Sequence, residues 1–143
     1  DIVTYGACDF FFDFNRKQFN QLIKLNDLII FVHRPLKTNI INFYEYGWIK
    51  KGKKNTIQKI QCKNKVSQNP KNDFVITGTF TFKNKKIFHH CYKEMVNKND
   101  KINNEFYMDI VAKHALYLKY KVKYILVKNF KSFGTPEELK KND

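Results

Sequence analysis

The sequence predicts an α/β fold, in which a mixed, mostly parallel sheet is covered by helices on both faces. Strand and helix patterns alternate along the chain, which is the order that produces such a sheet. Two apolar runs, "LIIFVH" and "FVITGTFTF", are rich in β-branched and aromatic residues, as expected of strands buried on both faces. With 43% hydrophobic residues among 143, the chain has enough apolar material for the core of a single domain.

The first half of the chain is predicted to contain four strands and one helix. Residues 1–10 begin with a short apolar run typical of a buried strand, and residues 16–25 place their apolar side chains on one helical face. Residues 27–34 form the next strand. Residues 39–63 indicate two strands joined by a turn at "KKGKKN".

The second half is predicted to contain two strands and two helices. Residues 73–82 form a strand, and Gly78 inside it indicates close approach by another part of the structure. Residues 84–98 and 103–120 both carry apolar positions at helical spacing. Residues 121–129 alternate like a strand.

The segment "FGTPEEL" predicts a tight turn followed by a short helix. Gly134 allows the turn, Thr135 is a good helix N-cap, and Pro136 suits the first helical position. Thr135 and Glu138 have the spacing of a capping box. In open α/β sheets ligands bind at the carboxyl ends of strands, where the sequence places both this segment and Asp9.

The net charge of +14 has two explanations. It exceeds the magnitude of about 2–8 that is usual for a small domain, which indicates a polyanionic partner such as nucleic acid. However, 25 of the 27 basic residues are lysine and asparagine occurs 16 times, which is typical of codon drift in an AT-rich genome. Specific phosphate recognition tends to use arginine, so the composition favours drift. A nucleic-acid-binding module stays as the alternative function.

Cysteine content and hydropathy indicate a cytoplasmic protein without a membrane anchor. The three cysteines, Cys8, Cys62 and Cys91, are odd in number and widely spaced, which favours free thiols in a reducing compartment. No signal peptide is visible, and no apolar run approaches the roughly 20 residues of a membrane span.

Carboxylates provide the candidate chemistry. Asp9, after a predicted strand, is either a Mg²⁺ ligand or a residue that caps a turn. Glu105 and Asp109 are four apart on a predicted helix, so they share a face. They form a metal or substrate-hydroxyl site, or the solvated edge of a helix near Lys113; the pattern alone favours the latter.

The spacing of the histidines in the sequence does not indicate a metal site. His89, His90 and Cys91 are consecutive on a predicted helix and therefore point in different directions. His33 and His114 have no partner at useful spacing. Nucleophile elbows, Walker loops and G-x-G-x-x-G motifs are absent.

Five segments together resemble the sugar-phosphate nucleotidyltransferases, also called nucleoside-diphospho-sugar pyrophosphorylases. They occur in the family's order and cover nearly the whole chain, and the "NEFY-x-D" helix is similar to bacterial members linked to capsule and other surface polysaccharides. The resemblance implies an incomplete Rossmann-like three-layer α/β/α fold, that of the nucleotide-diphospho-sugar transferases. The five segments are "GACDFFF", "EYGWIKK", "FVITGTFTF", "NNEFYMDIV" and "FGTPEEL".

The resemblance also implies an activity. A sugar phosphate, or a related phosphorylated alcohol, attacks the α-phosphorus of a nucleoside triphosphate (NTP), and pyrophosphate leaves with the help of Mg²⁺. By resemblance, Asp9 holds the metal and Lys63 offsets phosphate charge. The residues implied to bind the sugar are Tyr46, Gly47, Gly78, Thr79 and Glu105.

Two departures from the family pattern matter. Relatives carry a second metal-binding Asp before the G-T-P turn; here Ser132 occupies that place, so the second carboxylate is missing or comes from Asp109. The glycine-rich loop that grips the triphosphate has no counterpart, so we expect residues 1–143 to be one partial, amino-terminally truncated domain that is inactive alone. A further alternative function is that of a non-catalytic relative of the family. The oligomeric state is left open, and a homo-oligomer is one of the possibilities.

Overall fold

A computed structural model describes residues 1–142 as eight strands and five helices, with short 3-10 turns at Phe43–Glu45 and Pro70–Asn72. In chain order the elements are β1 (Val3–Gly6), β2 (Phe10–Asp13), α1 (Arg16–Leu25), β3 (Leu28–His33), α2 (Lys37–Ile41), β4 (Gly47–Lys51), β5 (Ile57–Cys62), β6 (Phe74–Phe82), α3 (Lys85–Asn97), α4 (Met108–Tyr117), β7 (Val122–Leu126), β8 (Lys128–Ser132) and α5 (Pro136–Asn142).

The main sheet is mixed, as predicted, but its pairing is not mostly parallel. The strand order is β5-β4-β6-β3-β7, with β1 also paired to β6. Only β3 and β7 pair in parallel; the other four ladders of the main sheet within residues 1–142 are antiparallel. The reason is topological: β4 and β5 form the predicted hairpin, and β6 runs in the reverse direction between β3 and β4.

Strand β3, which lies between β6 and β7, faces two separate apolar clusters. Leu28, Ile30 and Val32 pack with residues of α3 and α4. Ile29 and Phe31 pack with α1 and with aromatic side chains of β2 and β8. Because successive side chains of a strand point to opposite faces, apolar clusters cover both faces of β3.

Strand β6 changes partners at Gly78. Its first residues pair with β4 and its last four residues pair with β1. Gly78 adopts a φ of +97°, a backbone conformation that side chains disfavour. Its nearest neighbours on the side-chain side are Phe10 at 3.5 Å and Ala7 at 3.7 Å. Both distances are ordinary van der Waals contacts, so the positive φ accounts for this glycine better than the predicted close approach.

The strand predicted from the opening apolar run is present as β1, but it ends at Gly6 and does not reach Asp9. The chain forms two short strands with Asp9 in a bend between them, and β2 pairs with β8 in a separate two-stranded sheet. In both strands half-buried and exposed positions alternate, so the prediction of a buried strand is not confirmed. The strand predicted at residues 121–129 likewise divides into β7 and β8.

Two further boundaries differ from prediction. Residues 37–45 form α2 and a 3-10 turn instead of the start of a strand. The helix predicted from residue 103 begins only at Met108, because Asn103 and Asn104 take left-handed φ values of 51° and 61°. Glu105 therefore precedes the helix and does not share a helical face with Asp109.

None of the helices of residues 1–142 has the length and apolar character needed to cross a membrane. Cys8, Cys62 and Cys91 are all free thiols, as predicted.

Candidate functional site

A cleft of about 850 Å³ lies between the two sheets, the α2 segment and α5. Its volume is within the range of small-molecule sites. Its lining residues come from β2, β8 and α5, from α2 and the following 3-10 turn, and from β3 and β6. Five carboxylates line it against the ammonium groups of Lys131 and Lys141. The five are Asp9, Asp13, Glu45, Glu137 and Glu138.

Asp9 and Glu138 converge on Gly134. A Cβ atom added to Gly134 would lie 2.8 Å from the Asp9 Oδ2 atom and 3.6 Å from the Glu138 Oε2 atom. The Phe133 amide donates to the Asp9 carbonyl at 2.7 Å, which fixes the bend against the β8 end. Gly134 does not have left-handed backbone, so the Asp9 carboxylate accounts for the glycine better than the predicted turn.

Glu138 is held by the junction that precedes α5. Its Oε2 atom accepts hydrogen bonds from the Ser132 hydroxyl at 2.8 Å and from the Thr135 amide at 3.2 Å. The Glu138 amide in turn donates to the Thr135 hydroxyl at 3.1 Å, so the predicted capping box is present. Ser132 thus orients a carboxylate of the next helix.

Asp9 and Glu138 are a pair of neighbouring carboxylates of the type that could hold a Mg²⁺ ion. Mg²⁺ prefers oxygen ligands and is often held by one or two carboxylates together with substrate phosphates. The space that a Gly134 Cβ would fill lies between two such carboxylates. Within residues 1–142, no group of three or more His, Cys, Asp or Glu side chains is arranged to hold a metal.

Tyr46 connects the cleft to the sugar-binding residues that the sequence predicts. Its side chain lines the cleft, and its carbonyl accepts a hydrogen bond from the Lys63 amide at 2.9 Å. Burial raises the pKa of Tyr46, and the carboxylates of Glu138 and Glu45 raise it further. The Tyr46 phenol is therefore protonated at neutral pH and close enough to Glu138 to sense its charge.

Asp109 lies behind Gly47 and not in the cleft. A Cβ atom at Gly47 would lie 2.6 Å from the Asp109 Cγ atom, so the missing side chain leaves room for this carboxylate. Burial raises the pKa of Asp109 to about 6, while the Cys62 thiol and Lys63 act in the opposite direction. Burial, followed by the charge of Asp109, raises the pKa of Cys62 to about 12. The two predicted metal ligands, Asp9 and Asp109, thus occupy different environments.

Tyr107 contacts both Lys63 and Glu105. The Lys63 ammonium lies 5.0 Å from the centre of the Tyr107 ring, and the Tyr107 hydroxyl donates to Glu105 at 2.5 Å. The hydrogen bond to Glu105 raises the pKa of Tyr107 to about 12. Gly47, Lys63, Glu105 and Asp109 therefore form one neighbourhood at the ends of β4 and β5.

Gly78 and Thr79 lie near the cleft without lining it. Gly78 contacts Phe10, which does line it. Thr79 is buried opposite Gly6 of β1, and its amide donates to the Thr77 hydroxyl at 3.2 Å. Thr77, not Thr79, faces the cleft.

The sequence patterns missed two groups of the cleft. The capping pattern identifies Glu138 only as a helix-capping residue, and His33 has no partner at useful spacing in the sequence. His33 is the last residue of β3, and Glu138 lies in the first turn of the helix that follows β8. The position after a strand is the signal that could have selected them.

Solved structures of nucleotidyltransferases share this fold at low sequence identity. The nucleoside-diphosphate-sugar pyrophosphorylase from Vibrio cholerae RC9 aligns with a TM-score of 0.76 at 17% identity, over 98% of this chain and 55% of that chain. A protein described as a glucose-1-phosphate thymidylyltransferase from Bacillus anthracis, in complex with sucrose, gives 0.67 at 14% identity, over 99% and 52%. The inositol-1-phosphate CTP transferase from T. maritima gives 0.61 at 14% identity, over 96% and 51%.

No protein-family model matches the sequence, and no curated protein matches it. The chain spans about half the length of the solved structures it matches. At these identities the likeness shows the fold: an α/β fold with a curled, mixed sheet, of the kind found in nucleotidyltransferases.

Proposed function

We propose that this chain is part of a nucleotidyltransferase that transfers a nucleoside monophosphate from an NTP to a sugar phosphate or related phosphorylated alcohol. Three solved structures with this fold bear names of nucleotidyltransferases, and two of those names include a phosphorylated sugar or cyclitol. The cleft adds an observation that belongs to this chain. Its carboxylates outnumber its ammonium groups by five to two, although the chain carries a net charge of +14.

The observation that carries the proposal is the convergence of Asp9 and Glu138 on Gly134. These residues would hold Mg²⁺, with Glu138 in place of the aspartate that Ser132 replaces. The ion would draw the phosphates of the substrates into an acidic cleft and offset their charge as pyrophosphate leaves. Without a cation, the carboxylates of this cleft would repel both substrates.

The neighbourhood behind Tyr46 would bind the acceptor. Lys63 is the cation available to a phosphate near Gly47, because its ammonium is positioned over the Tyr107 ring. Glu105 is exposed and oriented by the Tyr107 hydroxyl, which suits an acceptor of hydrogen bonds from sugar hydroxyls. Gly78 and Thr79 would support this side of the site through Phe10 and Thr77 and would not contact substrate directly.

The wider parts of the proposal concern the whole protein. We propose that the fold is the Rossmann-like three-layer arrangement, and that a glycine-rich triphosphate loop lies outside residues 1–143. The role proposed for the protein is cytoplasmic synthesis of surface-polysaccharide precursors, as the resemblance of "NEFY-x-D" implies.

The test combines turnover and metal binding. Pyrophosphate release by the full-length gene product is measured with a panel of NTPs and sugar 1-phosphates, and Mn²⁺ binding to residues 1–143 is measured by electron paramagnetic resonance. Asp9→Asn and Glu138→Gln are expected to weaken Mn²⁺ binding at least tenfold and to lower kcat by roughly 10² or more. Glu137→Gln, one residue away with the same charge change, is the matched control.

Two results would count against the proposal. The absence of pyrophosphate release with every substrate pair would exclude the activity and favour a non-catalytic relative. Mn²⁺ binding that is equal in Glu138→Gln and Glu137→Gln would exclude Glu138 as a ligand even if the enzyme is active.

A further inference from the structure

His33, the last residue of β3, is a nearly buried histidine at the surface of the cleft. Its side chain lines the cleft, yet only 5% of the residue is exposed. A buried polar side chain at the wall of a cleft presents few atoms to a ligand. The way in which His33 can bind a ligand therefore depends on which of its ring nitrogens already makes a hydrogen bond within the protein.

The hydrogen bonding of His33 determines which nitrogen carries the proton. The Nδ1 atom lies 2.8 Å from the Arg34 carbonyl oxygen. A carbonyl oxygen only accepts, so Nδ1 is the donor, and in the neutral ring Nε2 keeps its lone pair. Within residues 1–142 Nδ1 is the only nitrogen of this ring with a hydrogen-bond partner. Nε2 is thus a free acceptor.

The ring of His33 is held rigidly. It stacks on Phe130 with the ring centres 4.1 Å apart and the planes 9° from parallel. Phe130 in turn contacts Phe10, with the ring centres 5.8 Å apart, and both phenylalanines line the cleft. This stack fixes the direction of Nε2, so little side-chain entropy would be lost when a ligand binds.

The charge state of His33 matches this role. Burial lowers the pKa of His33, and the bond to the Arg34 carbonyl only partly opposes that effect. The imidazole is accordingly neutral at pH 7 and offers a lone pair instead of a positive charge. A neutral acceptor binds O–H or N–H donors and gives no charge-assisted bond to a phosphate.

We propose that His33 is a specificity-determining residue, whose Nε2 atom accepts a hydrogen bond from a hydroxyl group of the phosphorylated acceptor. The inference rests on the proposed function and adds His33 to the residues proposed to bind the acceptor, on the same cleft that Tyr46 lines. Phe130 and Phe10 supply the apolar surface on which the C–H face of a sugar or cyclitol ring packs.

The first experiment observes the imidazole directly by ¹⁵N-edited NMR of residues 1–143. The His33→Asn variant identifies the His33 signal by its loss, and His90, which bonds Tyr120, serves as the internal control. We expect neutral His33 with the proton on Nδ1. The Nε2 resonance should move when glucose 1-phosphate or myo-inositol 1-phosphate is added with Mg²⁺, and it should stay in place when an NTP is added with Mg²⁺.

The second experiment compares ligands and variants by calorimetry. His33→Asn keeps a donor for the Arg34 carbonyl but lacks the cleft-facing acceptor, whereas the longer amide of His33→Gln can replace Nε2. We expect His33→Asn to weaken binding of the sugar phosphate roughly fivefold to tenfold, the scale of one neutral hydrogen bond, and His33→Gln to restore most of it. One monodeoxy analogue should lose the same factor with wild type and nothing with His33→Asn.

The outcomes separate this inference from the proposed function. A proton on Nε2, or an unmoved Nε2 signal at saturating sugar phosphate, overturns the inference while leaving turnover intact. A response to the NTP alone assigns His33 to the nucleotide and also overturns it. Failure of every probe to bind, together with no pyrophosphate release, overturns the proposed function and this inference with it.

Discussion

Asp109 is a half-buried carboxylate whose ionisation should affect stability. Burial raises its pKa from 3.8 to about 6. Between these values the folded chain keeps a proton that the unfolded chain loses, so the contribution to stability is complete below pH 4. It is lost as the pH rises through 6.

We therefore predict that Asp109→Asn stabilises the fold at pH 8, where the buried charge is removed, and has little effect at pH 4. The gain should be on the order of 1–3 kcal/mol in the free energy of unfolding. Urea unfolding of both proteins at the two pH values measures it. Glu137→Gln, an exposed carboxylate, should show no pH-dependent gain, and an equal gain at both pH values would contradict the prediction.

Gly47 gives a second prediction at the residue scale. Gly47→Ala places a methyl group 2.6 Å from the Asp109 Cγ atom and should cost about 1–3 kcal/mol through overpacking. In the background of Asp109→Ala the same change should cost much less, because the two residues compete for one volume. A double-mutant cycle by chemical denaturation measures the coupling.

The matched control for this cycle is Gly6→Ala in β1. A Cβ atom there meets only the Thr79 hydroxyl at 3.5 Å, an ordinary contact. Its cost should be small and independent of Asp109. If Gly47→Ala is equally costly with and without the Asp109 carboxylate, the steric explanation fails.

At the scale of elements, α5 depends on its first turn. The helix has seven residues and buries none of them, so packing contributes little to it. The capping box of Thr135 and Glu138 is its main local support. The same two residues orient the carboxylate proposed for the metal, so the cap and the site are linked.

We predict that Thr135→Ala destabilises α5 by about 0.5–2 kcal/mol and leaves the core intact. Hydrogen exchange should become faster at Leu139, whose amide donates to the Thr135 carbonyl at 2.9 Å. Exchange in the buried strand β3 should be unchanged. Thr135→Ser keeps the hydroxyl and should behave like wild type; faster exchange in both variants would point to another cause.

Elements with a strong local signal were predicted well. The periodic apolar positions of α1 and α3, the apolar run of β3 and the turn between β4 and β5 are all local patterns. The division of residues 1–13 into two strands was not predictable, because β2 pairs with β8 more than 110 residues away. Helix α4 begins later than predicted because two asparagines before it adopt left-handed backbone conformations. The spacing of apolar residues gives no indication of such conformations.

At the scale of the molecule, charge is distributed unevenly. Five of the 13 carboxylates line one cleft, whereas the 25 lysines are spread along the chain. Several lysines place their ammonium groups over the chain's own aromatic rings, among them Lys51 over Phe74 at 4.6 Å and Lys65 over Phe43 at 4.7 Å. Rings covered in this way are not free to stack on bases.

We predict that oligonucleotides bind weakly and without sequence preference, with a Kd above about 10 μM at 150 mM NaCl. Fluorescence anisotropy with several single-stranded and double-stranded sequences over a series of salt concentrations measures this. The affinity should fall steeply as salt increases, as expected of unspecific charge attraction. Tight binding of one sequence at 150 mM NaCl would instead support the nucleic-acid-binding alternative.

The sequence by itself determined the local features: which segments are apolar strands, where helices are capped, and that an aspartate and a glycine-containing turn stand at the ends of strands. Tertiary structure alone decided that Glu138 joins Asp9 at Gly134, that Asp109 fills the space beside Gly47, and that His33 faces a cleft. The physical reason is the distance along the chain over which each effect acts. Propensity and periodicity act over a few neighbouring residues, whereas a site is made by contacts between segments up to 130 residues apart.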